Sequence, residues 1–515
     1  MKKKILVSIA VLFPSLMQGK PVMETFPCKP ALPDTAIVKM AWKGASSRSE
    51  VELPLAVDHS TSRYFPSIIN QKGGSCAQAS GIGYLFTYEM NRYLDRPAKD
   101  SDANVFSYLF TWNFLNGGND EGGFVDQGLN IAIKYGVMTE EDYGYASAYQ
   151  FKWASGYEKY LKAMRYRGKE LYEFSVTDEA GLHQVKQYLA SKNDGKEGGG
   201  VLTFSCMSSG WKIDNDYQGP SKTGYHSLLT RLATEGSHAL TIAGYDDTVE
   251  YTDDEGKVHR GAFIVVNSWG TAMHDRGRFY LPYYFFLHRG PVFQESQLST
   301  KMTGIDVHTH EPKLVFKIAM DYSSRNDIAV VCGASNKADS SYPEERYTPL
   351  VFFNQGGDYP LQGAYNNRGP LEFAIDYTEQ LPSEDYLHSK YFLNVVRSQR
   401  GSVEGEGKVL GFSVIDYRTP GAPREYVYPN PEQVELKWGN NLFGLSTLPL
   451  FKVSANLNRW RNADGSIETE KTYVLRTRTG KFAKIRTVGY DPKTGQVTLQ
   501  YFYQQDGTRN LKKEE

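Results

Sequence analysis

The apolar pattern changes character twice along this chain, and those changes bound the architecture. Ile82, Leu85, Phe86, Met90 and Leu94 recur at helical spacing, and residues 124–136 read as a second helix closing on Gly136. Helical character then gives way to strand-like runs bounded by glycine or polar turns: "GGGVLTFSCM", "HALTIAGY", "AFIVVNSW" and "GRFYLPYYFF". Helices first and strands second predict an α+β domain with two segregated layers. Beyond about residue 300 only short apolar or alternating runs remain, among them "KLVFKIAMDY", "DIAVVCGA", "LVFFNQ", "LEFAIDY", "YFLNVVRS", "KVLGFSVIDY" and "QVELKW". Their near-regular spacing between turn-rich stretches predicts an all-β, sandwich-like region. A single core rarely exceeds about 250–300 residues, so 515 residues require more than one domain.

The resulting division is a mixed domain over 61–300, a β-sandwich-like domain over 310–450 and a small antiparallel unit over 451–515. The last carries hairpin signals at Thr479-Gly480 and Lys493-Thr494-Gly495 and either joins the preceding domain or stands apart. Residues 20–60, punctuated by Pro21, Pro27, Pro30 and Pro33, read as an N-terminal arm or short pro-segment. Ahead of them, "MKKKILVSIAVLFPSLMQG" sets three lysines before a short apolar run, the layout of a secretory signal peptide over 1–19. The chain is therefore expected to be exported, to the periplasm, the cell surface or the medium. No later stretch reads as a membrane span. A net charge of −1 argues against a nucleic-acid partner.

Export permits disulfides, but four cysteines far apart (Cys28, Cys76, Cys206, Cys332) make no dense framework and no CxxC pair. Cys76 stands out: it follows small residues in "GGSCAQASGIGYLF", at the first turn of the predicted helix. A thiol attacks a carbonyl as thiolate, and a helix N-terminus and a nearby imidazolium both lower its pKa. Most of the ten histidines sit in polar loops. His238 instead opens the apolar strand of "GSHALTIAGYDD", where a histidine is ordinarily structural. What lifts it is "AFIVVNSWG", in which a strand ends on Asn267 followed by Ser268, Trp269 and Gly270. An asparagine oxygen can accept one imidazole N–H and so aim the other nitrogen at the sulfur, and an adjacent indole would shield that bond from water.

These segments together resemble the papain-like cysteine peptidase family, in a secreted bacterial form with a β-rich C-terminal extension. "QKGGSCA" resembles the family's glutamine-to-cysteine segment, "SHALTIAGY" its histidine strand, and "NSWG" with "GRFYLPY" its asparagine segment. Independently, "NDEGGFVDQGLNIAIKYGVMTEEDYGY" resembles its glycine-pair segment and the helix behind it. The resemblance covers about residues 60–290. It implies a helical L-domain and a barrel-like R-domain, Cys76 as nucleophile, His238 as general base and acid, and Asn267 as the group orienting the histidine. It makes Gln71 the side-chain donor to the oxyanion, and Gly122, Gly123, Phe124 and Trp269 the residues nearest the substrate. Phe124 would lie near an apolar pocket, Trp269 over the asparagine. The substrate would be a peptide or protein, hydrolysed through a thioester; neither metal nor cofactor is called for.

Departures qualify what is carried over. Gln71 precedes the cysteine by five positions where the family has six, so Gln71 or Asn70 can supply the amide. Ala77 replaces an aromatic. Gly73 stands where a half-cystine is usual, and its partner ahead of the glycine pair is also missing. Residues 246–261 read as a hairpin inserted between histidine and asparagine. Two alternatives stand beside a peptidase: a catalytically silent binding protein of the same fold, and another Cys-His acyl-transfer enzyme of transglutaminase-like type. The C-terminal β region fits either a structural or protein-binding role or a glycan-binding one.

Overall fold

The computed structural model describes residues 38–44, 52–120, 122–144, 151–289, 297–337, 340–363, 369–383, 386–398, 405–428 and 434–447, and the backbone of three strands between 472 and 504. Residues 1–19, where a signal peptide is expected, Cys28 and residues 448–471 lie outside the described residues. The architecture is α+β, with many strands and few helices.

Among the described residues ten strands form the main sheet: β1 (Met40–Ala41), β2 (Ala56–Asp58), β3 (Tyr166–Ser175), β4 (Leu202–Ser209), β5 (Lys212–Asp214), β6 (Leu228–Arg231), β7 (Glu235–Thr252), β8 (Val258–Val266), β9 (Arg278–Pro282) and β10 (Lys301–Thr309). Their spatial order is β1-β3-β10-β4-β7-β8-β9-β6-β5, with β2 on β7. The sheet thus takes in residues 301–309, past the boundary expected at 300. The long β7–β8 pair extends to Thr252↔Val258, so the inserted segment is the tip of this hairpin. Asp253 closes it by accepting from the backbone N–H groups of Glu255 and Lys257.

The cysteine helix runs over residues 76–94, and its middle, Ala79–Phe86, is π-helical. Wider turns of this kind mark places where close packing overrides the regular i→i+4 ladder. Gly83 shows why: a Cβ there would meet Ile69 Cδ1 at 2.4 Å. Ile82, Leu85, Phe86 and Met90 are buried, as their spacing predicts. Ser80 docks the helix on the sheet through hydroxyl bonds to Thr203 of β4 (2.6 Å) and Thr241 of β7 (2.8 Å). The helix Val125–Lys134 lies against it, close enough that a Cβ at Gly128 would collide with Gln78 Oε1.

Nine further strands follow: β11 (Leu314–Tyr322), β12 (Ile328–Ser335), β13 (Glu345–Tyr347), β14 (Leu371–Asp376), β15 (Lys390–Arg397), β16 (Gly407–Asp416), β17 (Arg424–Val427), β18 (Val434–Glu435) and β19 (Gly439–Ser446). One sheet has the order β14-β11-β16-β17 with β18 on β16, the other β13-β12-β15-β19. Phe316 of β11 meets Tyr391 of β15 edge-on at 5.8 Å, so the two sheets share an apolar layer. β20 (Thr472–Arg476), β21 (Phe482–Asp491) and β22 (Gln496–Gln504) form an antiparallel three-stranded sheet.

Two strand expectations are corrected. "LVFFNQ" opens with a 3-10 turn, Leu350–Phe352, which follows Pro349 and drives Val351 and Phe352 into the core. "GRFYLPYYFF" is a strand only to Pro282; Tyr284–Leu287 form a helical turn, because proline cannot continue the ladder.

Glu140, buried at the first turn of the helix Glu140–Tyr143, carries a desolvation cost. Burial pushes its carboxyl up to about 7, with the charge of Asp102 adding to the shift. The unfolded chain therefore binds fewer protons than the folded one between its ordinary value and about 7. Stability falls as pH rises through that window, by about 3 kcal/mol at full shift. Glu140→Gln is expected to raise unfolding resistance in urea at pH 8 and to leave it nearly unchanged at pH 4. An equal gain at both would show that charge is not the cause.

Candidate active site

The segment before the cysteine is built into the far side of the site by β-type pairing. Gln71 N–H donates to Ser268 O at 2.8 Å, Gly270 N–H donates to Ile69 O at 2.9 Å, and Asn70 bridges Trp269. The buried Tyr84 hydroxyl joins these pieces to the cysteine helix: it accepts from Ile69 N–H at 2.7 Å and donates to Asn267 O at 2.9 Å. One aromatic side chain thus fixes the distance between the cysteine's helix and the asparagine's loop.

Cys76 is the first residue of its helix and is half-buried. The backbone N–H groups of Ala239, Ala77 and Cys76 itself act on its thiol. Ala239 follows His238 in β7, so the first turn of the cysteine's helix packs on the histidine's strand, 162 positions away in sequence. Burial pushes the thiol up from its ordinary value, and the three N–H groups pull it partly back. This corrects the expectation of a lowered pKa: a short N-terminal turn packed against β7 loses more to desolvation than its dipole returns.

His238 is 4% exposed, and burial lowers its pKa against the pull of Asn267. Its Nε2 lies 2.9 Å from Asn267 Oδ1. That oxygen can only accept, so Nε2 carries the hydrogen and Nδ1 is the basic nitrogen. Asn267 is fully buried, and Oδ1 also receives Ser268 N–H at 2.7 Å. Trp269 stacks on the imidazole, with ring centroids 4.6 Å apart and planes at 24°. The indole therefore covers the histidine ring. Trp211, unremarked in the sequence, packs on Trp269 at 5.4 Å and closes the apolar wall.

The two candidate amides are held differently. Gln71 Oε1 accepts the Ser268 hydroxyl at 2.6 Å, and Gln71 Nε2 donates to Gly73 O at 2.8 Å, which leaves one N–H on a side chain held at both ends. Asn70 instead lies along Gly270, whose added Cβ would sit 3.5 Å from Asn70 Cβ and Cγ. Ser268 had no sequence signal beyond its place in "NSWG".

Gly122 lies against Gly74, and a Cβ there would meet nothing nearer than Gly74 O at 3.8 Å, whereas Gly123 faces Gln127 and Gln78. Gln78 fixes this segment by donating to Phe124 O at 3.1 Å. Phe124 is 76% exposed, an open apolar surface rather than the side of a closed pocket. Cys206 pairs with His238 across β4 and β7, and burial pushes its thiol up to about 12. Cys206 and Cys332 are both buried free thiols. Among the described residues no group of three or more His, Cys, Asp or Glu is placed to hold a metal, and no helix is long and apolar enough to cross a membrane.

No protein-family model matches the chain, and no curated protein matches it. Among solved structures it is similar to xylellain, a cysteine protease from Xylella fastidiosa, with 19% identity over 54% of this chain and 98% of that one and a TM-score of 0.33. It is also similar to the proform of the ragweed pollen cysteine protease Amb a 11, with 16% identity over 50% of this chain and 66% of that one and a TM-score of 0.33. A procathepsin B from Trypanosoma congolense matches with 13% identity over 50% and 80% and a TM-score of 0.34.

Proposed function

We propose that the chain is an exported cysteine peptidase of the papain-like type, hydrolysing peptide bonds through Cys76, His238 and Asn267. The observation that carries this reading is the bond from His238 Nε2 to Asn267 Oδ1, made on the strand against which the first turn of the cysteine's helix packs. A buried imidazole held in one tautomer by a neutral amide is arranged to take a proton on Nδ1.

The chemistry follows from those positions. As Cys76 Sγ attacks the substrate carbonyl, its proton passes to His238 Nδ1 and an S–C bond forms. Charge develops on the carbonyl oxygen, toward the backbone N–H of Cys76 and the remaining N–H of Gln71 Nε2. The imidazolium then protonates the leaving amine as the C–N bond breaks. Water, losing a proton to the same nitrogen, adds to the thioester and releases the acid with the regenerated thiol. Gly122 and Gly123 offer backbone groups to an extended peptide.

Incubation with a thiol-directed epoxide or vinyl sulfone is expected to label Cys76 in the wild type and nothing in Cys76→Ala. An unlabelled wild type would favour the silent binding protein. The transglutaminase-like reading loses support because His238 is oriented by an amide where that class uses a carboxylate. Further readings complete the proposal: export directed by residues 1–19, a helical and a barrel-like half around the cleft, and a C-terminal sandwich with a structural or protein-binding role.

A further inference from the structure

The turn of residues 73–75, which delivers Cys76 to its helix, is not held covalently, yet it is held. The carboxylate of Asp120 fills the place of a missing side chain at Gly73: a Cβ built there would lie 2.0 Å from Oδ1, 2.6 Å from Cγ and 2.7 Å from Oδ2. Gly73 has φ +49°, the left-handed region in which glycine costs least. From that place Oδ1 accepts the backbone N–H of Gly74 at 2.8 Å. The approach is close along the whole contact, since a Cβ at Gly74 would lie 3.1 Å from Asp120 O and 3.2 Å from Gly122 N. The neighbouring carbonyl of the turn, Gly73 O, is the acceptor for Gln71 Nε2.

We infer that Asp120 is a positioning residue: its carboxylate clamps the turn bearing the oxyanion amide and the nucleophile to the wall bearing the glycine pair. The inference rests on the peptidase reading and deepens it. The contacts of Asp120 are with the turn, at Gly73 and Gly74. It acts by fixing the turn that presents Gly73 O to Gln71, and thereby the direction of the remaining N–H. A charge-assisted bond to a backbone N–H is one of the stronger single polar contacts available for this. The clamp joins the two segments that the family resemblance would link by a disulfide, and it does so without dependence on redox conditions.

The test uses the full chain with Asp120→Ala and Asp120→Asn. The alanine variant is expected to lose about tenfold to a hundredfold in kcat for a fluorogenic peptide, the scale of a misdirected oxyanion donor, with KM little changed. Its rate of Cys76 alkylation by iodoacetamide should stay within about twofold of wild type, because alkylation needs thiol and imidazole but no oxyanion donor. The asparagine variant keeps an oxygen for Gly74 N–H and should recover most of the loss. Wild-type kcat in Asp120→Ala, or alkylation falling in parallel with kcat, would overturn the assignment. Hydrogen exchange of the amides of residues 72–75 reads the clamp independently of turnover. It should accelerate in Asp120→Ala and not in Asp120→Asn, and unchanged exchange would also overturn it. A wild type inert toward peptides would count against the peptidase reading alone, since the exchange comparison still decides the clamp.

Discussion

His238→Ala is expected to lower peptide hydrolysis by about 10³–10⁴-fold, because one nitrogen serves as base in acylation and as acid toward the leaving amine. The pH dependence gives the sharper test. Burial holds the His238 pKa below its ordinary 6.5 and the Cys76 pKa above its ordinary 9.0. On the proposed mechanism the competent resting pair is a thiol with a neutral imidazole. Acid removes it by protonating Nδ1, and alkali removes it by taking the thiol proton that the leaving amine will need. Both directions widen the active range, so kcat/KM should hold a plateau from below pH 6.5 to above pH 9. A resting thiolate–imidazolium pair would bring the alkaline limb down, since the imidazolium would then be the group lost. In His238→Ala the acid limb should vanish and Cys76 alkylation should rise with pH as for an isolated buried thiol. A wild-type alkaline limb well below 9, or an unaltered profile in the variant, would sink this account.

Asn267 should matter less than His238, because it touches no reacting atom. Its Oδ1 selects the tautomer, and the stacked Trp269 still constrains the ring when that bond is gone.

Much of this arrangement was legible in the sequence because its members stand at ends of strongly patterned elements. Cys76 begins an amphipathic run, His238 lies at the entry of an apolar strand, and Asn267 ends another. What could not be read depends on proximity between segments whose own patterns are bland. Ser268 looks like any small residue in a turn until Gln71 is paired with it from 197 positions away. Asp120 lies in a polar loop, and only the space left by Gly73 gives its carboxylate a purpose. The strand Tyr166–Ser175 escaped notice because its lysine and glutamates blur the alternation. The helix Glu179–Ala190 had a usable signal in Asp178, whose carboxylate accepts Gly181 N–H, with Leu182, Val185 and Leu189 behind it. The raised thiol pKa had none, since desolvation is set by what packs against the turn and not by the turn.

Phe352→Ala is expected to destabilise the region carrying Cys76 and His238 from outside it, although Phe352 belongs to the 3-10 turn beyond the main sheet. Its ring meets Phe114 at 5.7 Å, Trp153 at 5.8 Å and Phe373 at 4.2 Å, so one side chain packs on the helical layer and on β14 together. Arg325 crosses the same boundary. It donates to Gly356 O at 2.9 Å and to Phe151 O at 2.6 Å, and its guanidinium lies 4.5 Å from the Trp153 ring centroid. A charge so deeply buried, its pKa lowered by desolvation to about 9, is tolerable only while both sets of carbonyls stay in place. Two residues before Asp120 the two regions meet backbone to backbone: a Cβ at Gly118 would lie 2.6 Å from Gly356 O. Truncating a buried phenylalanine costs about 3–5 kcal/mol. On a shared core the loss should appear as one transition at lower denaturant, with Cys76 labelling and strand signal lost together. By the same reasoning a chain ending at residue 310 leaves Phe114, Trp153 and Tyr160 uncovered and should not yield soluble, labelled protein. Normal folding and labelling of residues 61–310 alone would refute the shared core and return the C-terminal sheets to the status of an independent module.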